Sequence, residues 1–454
     1  MNNMYIFIFA TVLATFLISL LKDRVILGVE VFLFGYPLII MDITRNESTD
    51  IIHNKNELRH ARKFPTASWK AVIRPNVDTL YSTAMVSVDE GPWIFEMPIN
   101  TDRYELVTFL DGWTNVFASP GTRTLNHSET FFFLTNSSWD GDVPLGMTQL
   151  VCQTNMAWLI GRLQADGEDD FETVHYLQDR LKLYKHFEMS ARAEFVPMAV
   201  SSAGKQDIST KRPFANVILN NLSTLQYFNR LMQLMVDNPP YQEDGPLVER
   251  MARVGLEPGK QVALSALNLV CFQFGRWLAS AITSFSVNQR PSDSSWRLPP
   301  LNLGRYGTDY GTRAAVAQVG LGANLAEDTI YSSTAWDHEG KDLIGSNAYY
   351  LHFNVGQLPP VKAFWSITAY DIDGFFIDNP LKRFALRDRD PLTYNSDGSL
   401  DIWIQAVPPT NLTLQSNWLP VKENEKFSLT ARLYWPHESI ASGLWTVPKV
   451  IRID

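Results

Sequence analysis

The stretch "RPNVDTLYSTAMVSV", Arg74 to Val88, sets an arginine, an asparagine, an aspartate and a tyrosine just before and into a run that alternates like a β-strand. Asp78 can serve as a general base or pair bidentately with Arg74. Asn76, after Pro75, is a natural turn former, and the Tyr81 hydroxyl suits proton donation. Downstream, Asp111, Trp113, Asn115 and Arg123 add a second carboxylate, an aromatic face, an amide and another guanidinium. If these groups converge with Tyr81 on one mouth of a β unit, two chemistries follow. Trp and Tyr faces beside Asn, Asp and Arg suit a sugar or another small polar ligand. Asp78 or Asp111 as base, Tyr81 as acid and Arg74 or Arg123 steadying an anion suit acid–base chemistry on a small molecule. A third reading needs no ligand: an Arg74–Asp78 pair closes the turn into the strand, with Arg74 held extended by the following proline. Trp365 and Arg432, with Tyr370, Asn379 and Trp418, form a similar but less focused set, against which stands ordinary core packing.

The elements that must position these groups alternate in kind along the chain. Leu80, Ser82, Ala84, Val86 and Val88 form the smaller, mostly apolar face of the first strand, and Tyr81, Thr83, Met85 and Ser87 the mixed one. Short aromatic runs at Trp93, Tyr104 and Asn115, separated by turn residues, have the spacing of an antiparallel sheet. From Asp170 the period changes: Phe171, Val174, Leu177, Leu181 and Tyr184 predict one helix after an acidic start. Ser223 with Gln226 is a capping-box signature, and Pro239-Pro240 ends the helix it opens. A further helix begins near Pro246 and stops at Gly255. Val262 to Ile282 is a long apolar helix, expected to pack between the β units. After a helix near Asp309 to Val319 the chain returns to β, with Phe427, Leu429, Ala431 and Leu433 on one strand face and Ser428, Thr430, Arg432 and Tyr434 on the other. The class is α+β, mainly β.

Composition removes several functions. The chain has 454 residues, 39 basic against 48 acidic, and no Lys/Arg block that could track phosphates, which argues against nucleic acid. Only Cys152 and Cys271 are present, both in apolar surroundings, so neither a disulfide framework nor a cysteine zinc site is expected. The eight histidines form no ligand pair, and neither a nucleophile elbow nor a nucleotide loop appears. "NSDGSLD" at Asn395 lacks the bidentate glutamate of a calcium loop and reads as a hairpin turn. No metal or cofactor is expected, and nothing in the sequence speaks to the oligomeric state.

The N-terminal run from Met4 to Leu21 carries no charge and no proline. As a helix it reaches about 27 Å, close to the hydrocarbon thickness of a bilayer. With no basic residue ahead and no small-x-small site behind, it reads as an uncleaved single-pass anchor rather than a cleaved signal, which would give a secreted protein. A second apolar run, Val25 to Met41, contains Glu30 and Pro37 and is expected to pack as a helix against the body. Lys22 and Arg24 favour a cytosolic body, whereas the sequons at Asn46, Asn126, Asn136, Asn221 and Asn411 favour a glycosylated, lumenal or extracellular one, which is the expectation adopted.

"FGYPLIIMD", "RPNVDTLYSTA", "DGWTNVFASPGTRT" and "IGRLQADGEDD" are similar to successive blocks of domain of unknown function 1254. "RVGLEPGK", "YGTDYGTRAAVAQVGLGAN", "LIGSNAYYLHF", "LPPVKAFWSITAYD", "NSDGSLDIWIQ", "NWLP" and "ARLYWP" resemble the linker and the partner domain of unknown function 1214. The resemblance runs in order from about residue 30. It implies two β-sandwich, jelly-roll-like units joined by helices, in proteins that often carry secretion signals or anchors, and no particular activity. The implied division is an anchor over 1–24, the first domain over 25–195, a helical linker over 196–305 and the second domain over 306–454. The family's "GTRTTG" gives way here to "GTRTLNHSETFFFLTNSSW", so the loop from Leu125 to Trp139 is specialised or glycosylated. The sequence therefore leaves three classes open: an anchored binding module for a small polar or carbohydrate-like ligand, an enzyme using Asp/Tyr acid–base chemistry, and a structural envelope or surface protein.

Overall fold

A computed structural model describes residues 2–46, 55–70, 72–98, 102–125, 130–186, 215–288, 290–291 and 296–453, with side chains outside the description at 2–20 and 286–288. The chain opens with helix α1 (Asn2–Asn46), which joins both apolar N-terminal runs into one helix and continues through Pro37. The side chains of the expected anchor fall outside the described residues up to position 20. The second run packs against the body as expected: Val31, Phe34, Leu38 and Ile39 have no exposure. Among the described residues, the one stretch long and apolar enough to cross a membrane is Leu21–Asn46, and 72% of its apolar window is buried in the protein.

The N-terminal half supplies β1 (Arg59–His60), β2 (Thr79–Ser87), β3 (Trp93–Glu96), β4 (Glu105–Asp111), β5 (Val116–Ala118), β6 (Phe131–Asn136), β7 (Thr148–Cys152), β8 (Met156–Gln164) and β9 (Lys182–Lys185). They form a five-stranded sheet, β1-β2-β8-β4-β5, and a four-stranded sheet, β7-β6-β3-β9. Ala84, Val86, Val107, Phe109 and Leu159 of the first share a core with Trp93, Phe95, Phe132 and Leu134 of the second. The alternation of β2 thus orients as read: its smaller face meets the second sheet, and Met85 on its mixed face meets the helices.

One predicted helix is shorter than expected. Helix α2 (Phe171–Gln178) ends before Leu181, and Leu183 and Tyr184 instead lie in β9, opposite Phe95 and Ile94. Pairing with a buried strand satisfies the backbone there, which local periodicity cannot register.

The helical layer comprises α3 (Ala215–Asn221), α4 (Thr224–Asp237), α5 (Gly245–Ala252), α6 (Ala266–Asn288) and α7 (Tyr310–Val319). The capping box of Ser223 and Gln226 opens α4 as expected. These helices wrap the buried half of α1 in one apolar cluster that includes Phe34, Leu38, Phe228, Leu231, Met232 and Phe272. Helix α6 packs against α1, α4 and α7. It does not lie wholly between the β units as expected, because Leu267, Val270, Phe274, Trp277, Ile282 and Phe285 form a solvent-exposed stripe along it.

The C-terminal third supplies β10 (Thr329–Thr334), β11 (Ala348–Phe353), β12 (Trp365–Asp371), β13 (Ala385–Arg387), β14 (Leu400–Gln405), β15 (Trp418–Pro420), β16 (Phe427–Tyr434) and β17 (Ile451–Ile453). Two four-stranded sheets result, β10-β16-β12-β13 and β15-β14-β11-β17. Ile367, Ala369, Leu429, Ala431 and Leu433 of one pack with Leu351, Phe353, Ile402 and Ile404 of the other. Every residue of β16 is buried, so its polar face is covered as well as its apolar one. What covers it is the turn before β2.

Candidate functional site at the seam between the β units

The turn Arg74–Asp78 is pinned by its own side chains. Asn76 Oδ1 accepts from the backbone N–H groups of Asp78 and Thr79, both at 2.9 Å, and its Nδ2 donates to the Tyr81 hydroxyl at 2.9 Å. Arg74 is not extended as expected. It adopts φ +53°, a left-handed conformation that costs a non-glycine residue about 1–2 kcal/mol. Its N–H donates to the Gly374 carbonyl at 2.8 Å, a tie to the other β unit that holds the backbone in this state.

Nor does Arg74 pair with Asp78. Its guanidinium donates to Thr430 Oγ1 at 2.8 Å and Ser428 Oγ at 3.2 Å, hydroxyls on the polar face of β16. Asp78, fully buried, accepts from Ser366 Oγ at 2.7 Å and lies 3.4 Å from Arg389 Nη2. The left-handed backbone sends the two side chains to different strands of the opposite sheet. Arg432 replaces the expected partner from the other side: its Nη2 donates to the Arg74 carbonyl at 2.9 Å and to the Tyr370 hydroxyl, and its Nη1 to Thr368 Oγ1 at 2.9 Å.

Behind Tyr81 stands Arg162 of β8, with its guanidinium carbon 5.2 Å from the centre of the Tyr81 ring. Arg162 is 6% exposed and Arg432 2%. Across the seam the hydroxyls of Tyr331 and Tyr434 are 3.3 Å apart, and the Arg432 guanidinium lies 5.4 Å from the Tyr331 ring. Burial pushes the phenol groups of Tyr331, Tyr370 and Tyr434 up, so they stay neutral at physiological pH. Tyr81, Tyr331 and Arg74 keep intermediate exposure, whereas Arg162 and Arg432 are buried. The arrangement offers hydroxyl and guanidinium donors between two aromatic faces.

Of the remaining sequence-predicted residues, Asp111, Trp113 and Asn115 lie toward the other end of the sheet from Tyr81, whereas Arg123 and Trp365 are held in other contacts. Tyr81 pairs with Arg162 and Asp111 with Ala157, which puts Tyr81 and Asp111 roughly 16 Å apart along β8. Asp111 accepts from the Tyr241 hydroxyl at 2.6 Å and from Asn115 N at 2.8 Å and Nδ2 at 3.1 Å, so Asn115 serves the β4–β5 turn. Burial pushes the Asp111 carboxyl up against the effect of those hydrogen bonds. Trp113 is fully buried, with its ring 4.5 Å from Phe34 and its Nε1 donating to the Pro239 carbonyl. Arg123 pairs with Asp328. Trp365 takes the core face of β12, 5.6 Å from the Phe353 ring. Of the sequon asparagines, Asn46, Asn221 and Asn411 are exposed, Asn136 is partly buried, and Asn126 lies outside the described residues.

Sequence reasoning missed Arg162, Tyr331, Ser366, Arg389 and Tyr434. The alternation of Ser366, Thr368 and Tyr370 with apolar neighbours was a usable signal, but a polar strand face ordinarily means solvent. Arg162 inside the apolar run "MAWLIGRLQ" was a second.

Residues 55–185 match the family model described as "Protein of unknown function (DUF1254)", and residues 328–438 match "Protein of unknown function (DUF1214)". The chain is a two-domain protein that carries these domains in that order. It is similar over 95% of its length, and all of the other chain, to the crystal structure of the VPA0106 protein from Vibrio parahaemolyticus, with a TM-score of 0.71 at 20% identity. An uncharacterized protein from Burkholderia cenocepacia is similar over 96% of both chains, with a TM-score of 0.46 at 13% identity. No curated protein matches.

Proposed function

We propose that this chain is a membrane-held binding protein that takes a small polar, carbohydrate-like ligand at the seam between its β units. One observation carries the reading: Tyr81 and Tyr331 keep intermediate exposure, each beside a buried guanidinium, that of Arg162 for Tyr81 and that of Arg432 for Tyr331. Aromatic faces with hydrogen-bonding groups between them suit a hydroxylated small molecule. The acid–base alternative is weaker. Asp78 is already engaged by Ser366 and Arg389, and Asp111 sits at the far end of the sheet, with its oxygens taken up by Tyr241 and Asn115. A purely structural envelope role leaves the partly open seam without a purpose.

The membrane part of the reading rests on the uncharged run Met4–Leu21 and on the exposed apolar stripe of α6, the helix packed on α1. Exposed sequons at Asn46, Asn221 and Asn411 support a lumenal or extracellular body. The shared core within each sheet pair supports two sandwich units. The test is a thermal-shift panel of monosaccharides, sugar acids and hydroxy acids on the full chain in detergent. Stabilisation by a panel member, lost on Tyr81→Phe with the unliganded melting temperature nearly unchanged, supports the seam. Stabilisation that survives Tyr81→Phe places the ligand elsewhere.

A further inference from the structure

Three guanidiniums meet at the seam, those of Arg74, Arg162 and Arg432, and among the described residues none has a carboxylate within ion-pair distance. Asp78, the buried carboxylate closest to them in the chain, is engaged by Arg389 and Ser366. The surrounding phenols are neutral and supply no counter-charge. Buried cations are ordinarily paired, because the desolvation cost of an unpaired one is several kcal/mol. Arg432 offsets that cost with carbonyl and hydroxyl acceptors on both Nη atoms. Arg162 does not. Its Nη2 donates to the Gly322 carbonyl at 3.0 Å, its Nη1 reaches Thr108 Oγ1 only at 3.4 Å, the Tyr81 hydroxyl stands beside the guanidinium, and its Nε has no partner among the described residues.

The hydrogen-bond inventory points the same way. The Tyr81 hydroxyl accepts from Asn76 Nδ2, which leaves its own hydrogen to donate. Of the Tyr331 and Tyr434 hydroxyls, one donates to the other and one hydrogen is left over. With Arg162 Nε–H, the seam presents spare donors backed by positive charge that the Asp78 carboxylate, shared with Arg389, offsets only in part. A neutral polyol brings donors as well as acceptors; an oxyanion brings acceptors and the missing charge.

We propose that the seam ligand carries an oxyanion, a carboxylate or a phosphate group, held by Arg162 Nε and the Tyr81 hydroxyl with Arg432 and Arg74 supplying further positive charge. This rests on the seam being the binding site. The experiment is calorimetric titration of the full chain in detergent with D-glucuronate, D-glucose, D-glucose 6-phosphate and inorganic phosphate, on wild type, Arg162→Gln, Arg162→Lys and Tyr81→Phe. The expected result is that glucuronate or a phosphate-bearing probe binds at least about tenfold more tightly than glucose and weakens as salt is raised. Arg162→Gln then loses that preference, and Arg162→Lys, which keeps the charge, recovers part of it. The glucuronate and phosphate arms separate the two sources of the oxyanion. Glucose bound as tightly as glucuronate and the phosphates, with binding still lost in Tyr81→Phe, overturns the oxyanion and leaves the seam standing. Binding indifferent to Tyr81→Phe, or no binding by any probe, overturns the seam as well. If Arg162→Gln fails to fold, the salt dependence and the Arg162→Lys titration decide alone.

Discussion

Arg123 and Asp328, 205 residues apart in the chain, meet in an ion pair in which Arg123 Nε donates to Asp328 Oδ1 at 2.6 Å. The pair fastens the loop after β5 to the residue that precedes β10, beside the Tyr104 hydroxyl, which donates to the Asp328 carbonyl at 3.2 Å. The Asp328 side chain has no exposure, and burial pushes its carboxyl up even with Arg123 in place. Arg123→Met strands that carboxylate. The expected cost at pH 7 is about 3 kcal/mol or more, measured by denaturant unfolding of the full chain in detergent. A loss below about 1 kcal/mol would mean that the pair is solvated like a surface bridge.

Helices α1 and α6 touch through glycine. A Cβ built on Gly275 lies 2.8 Å from the Val25 carbonyl oxygen and 2.9 Å from the Val29 nitrogen, both main-chain atoms that no rotamer change can move aside. Gly275→Val should push the helices apart and lower stability by about 1–3 kcal/mol. Gly245→Ala, where a Cβ meets open space, is the matched control. Equal melting temperatures for the two variants would contradict the close crossing.

His60 gives a pH dependence with a definite sign. Burial, helped by the nearby Arg62 charge, lowers its imidazole from 6.5 to about 4, and Nδ1 lies 2.8 Å from Ser82 Oγ. The folded value is below the unfolded one, so the fold favours the neutral ring. The contribution is fully present above pH 6.5 and is lost as pH falls through about 4. A shift of that size corresponds to about 3 kcal/mol. In His60→Gln this part of the acid-side decline should vanish from the stability–pH curve; curves that stay parallel to wild type would count against a buried ring.

The exposed stripe of α6 is expected to meet acyl chains. A nitrobenzoxadiazole label on Phe274→Cys, in full chain reconstituted into vesicles, should be quenched by lipids brominated along the acyl chain. A label on Leu444→Cys, exposed on the C-terminal unit, should not. Cys152 and Cys271 are buried and leave the labelling selective. Equal quenching at both positions, or none at Phe274, removes the membrane from this face.

Much of the architecture was readable because it is periodic. The two faces of β2, the polar and apolar faces of β16, the capping box at Ser223 and the packing of Val25–Met41 against the body all follow from local spacing. The site was only half readable. Arg74, Asn76, Asp78, Tyr81 and Arg432 meet at the seam, yet Arg74 and Asp78 do not pair, because Gly374, 300 residues away, holds Arg74 at φ +53°. Trp113 and Trp365 chose cores rather than a ligand face, and an aromatic residue carries no local mark of that choice. Leu181 and Tyr184 kept a helical spacing by coincidence: a turn bond to the Gln178 carbonyl holds Leu181, and strand pairing decided the conformation of Tyr184.

Helix α1 is synthesised before the helices that pack against it. Its Glu30 waits for Arg250, 220 residues later, and its Gly28 for Phe272 beyond that. At ordinary translation speeds of about 5–20 residues per second, that interval is on the order of 10–40 s. For most of it Val31, Phe34, Leu38 and Ile39 lack the helices that cover them in the finished protein. The unfinished chain on the ribosome therefore carries its own aggregation hazard along α1, and slower synthesis lengthens the exposure.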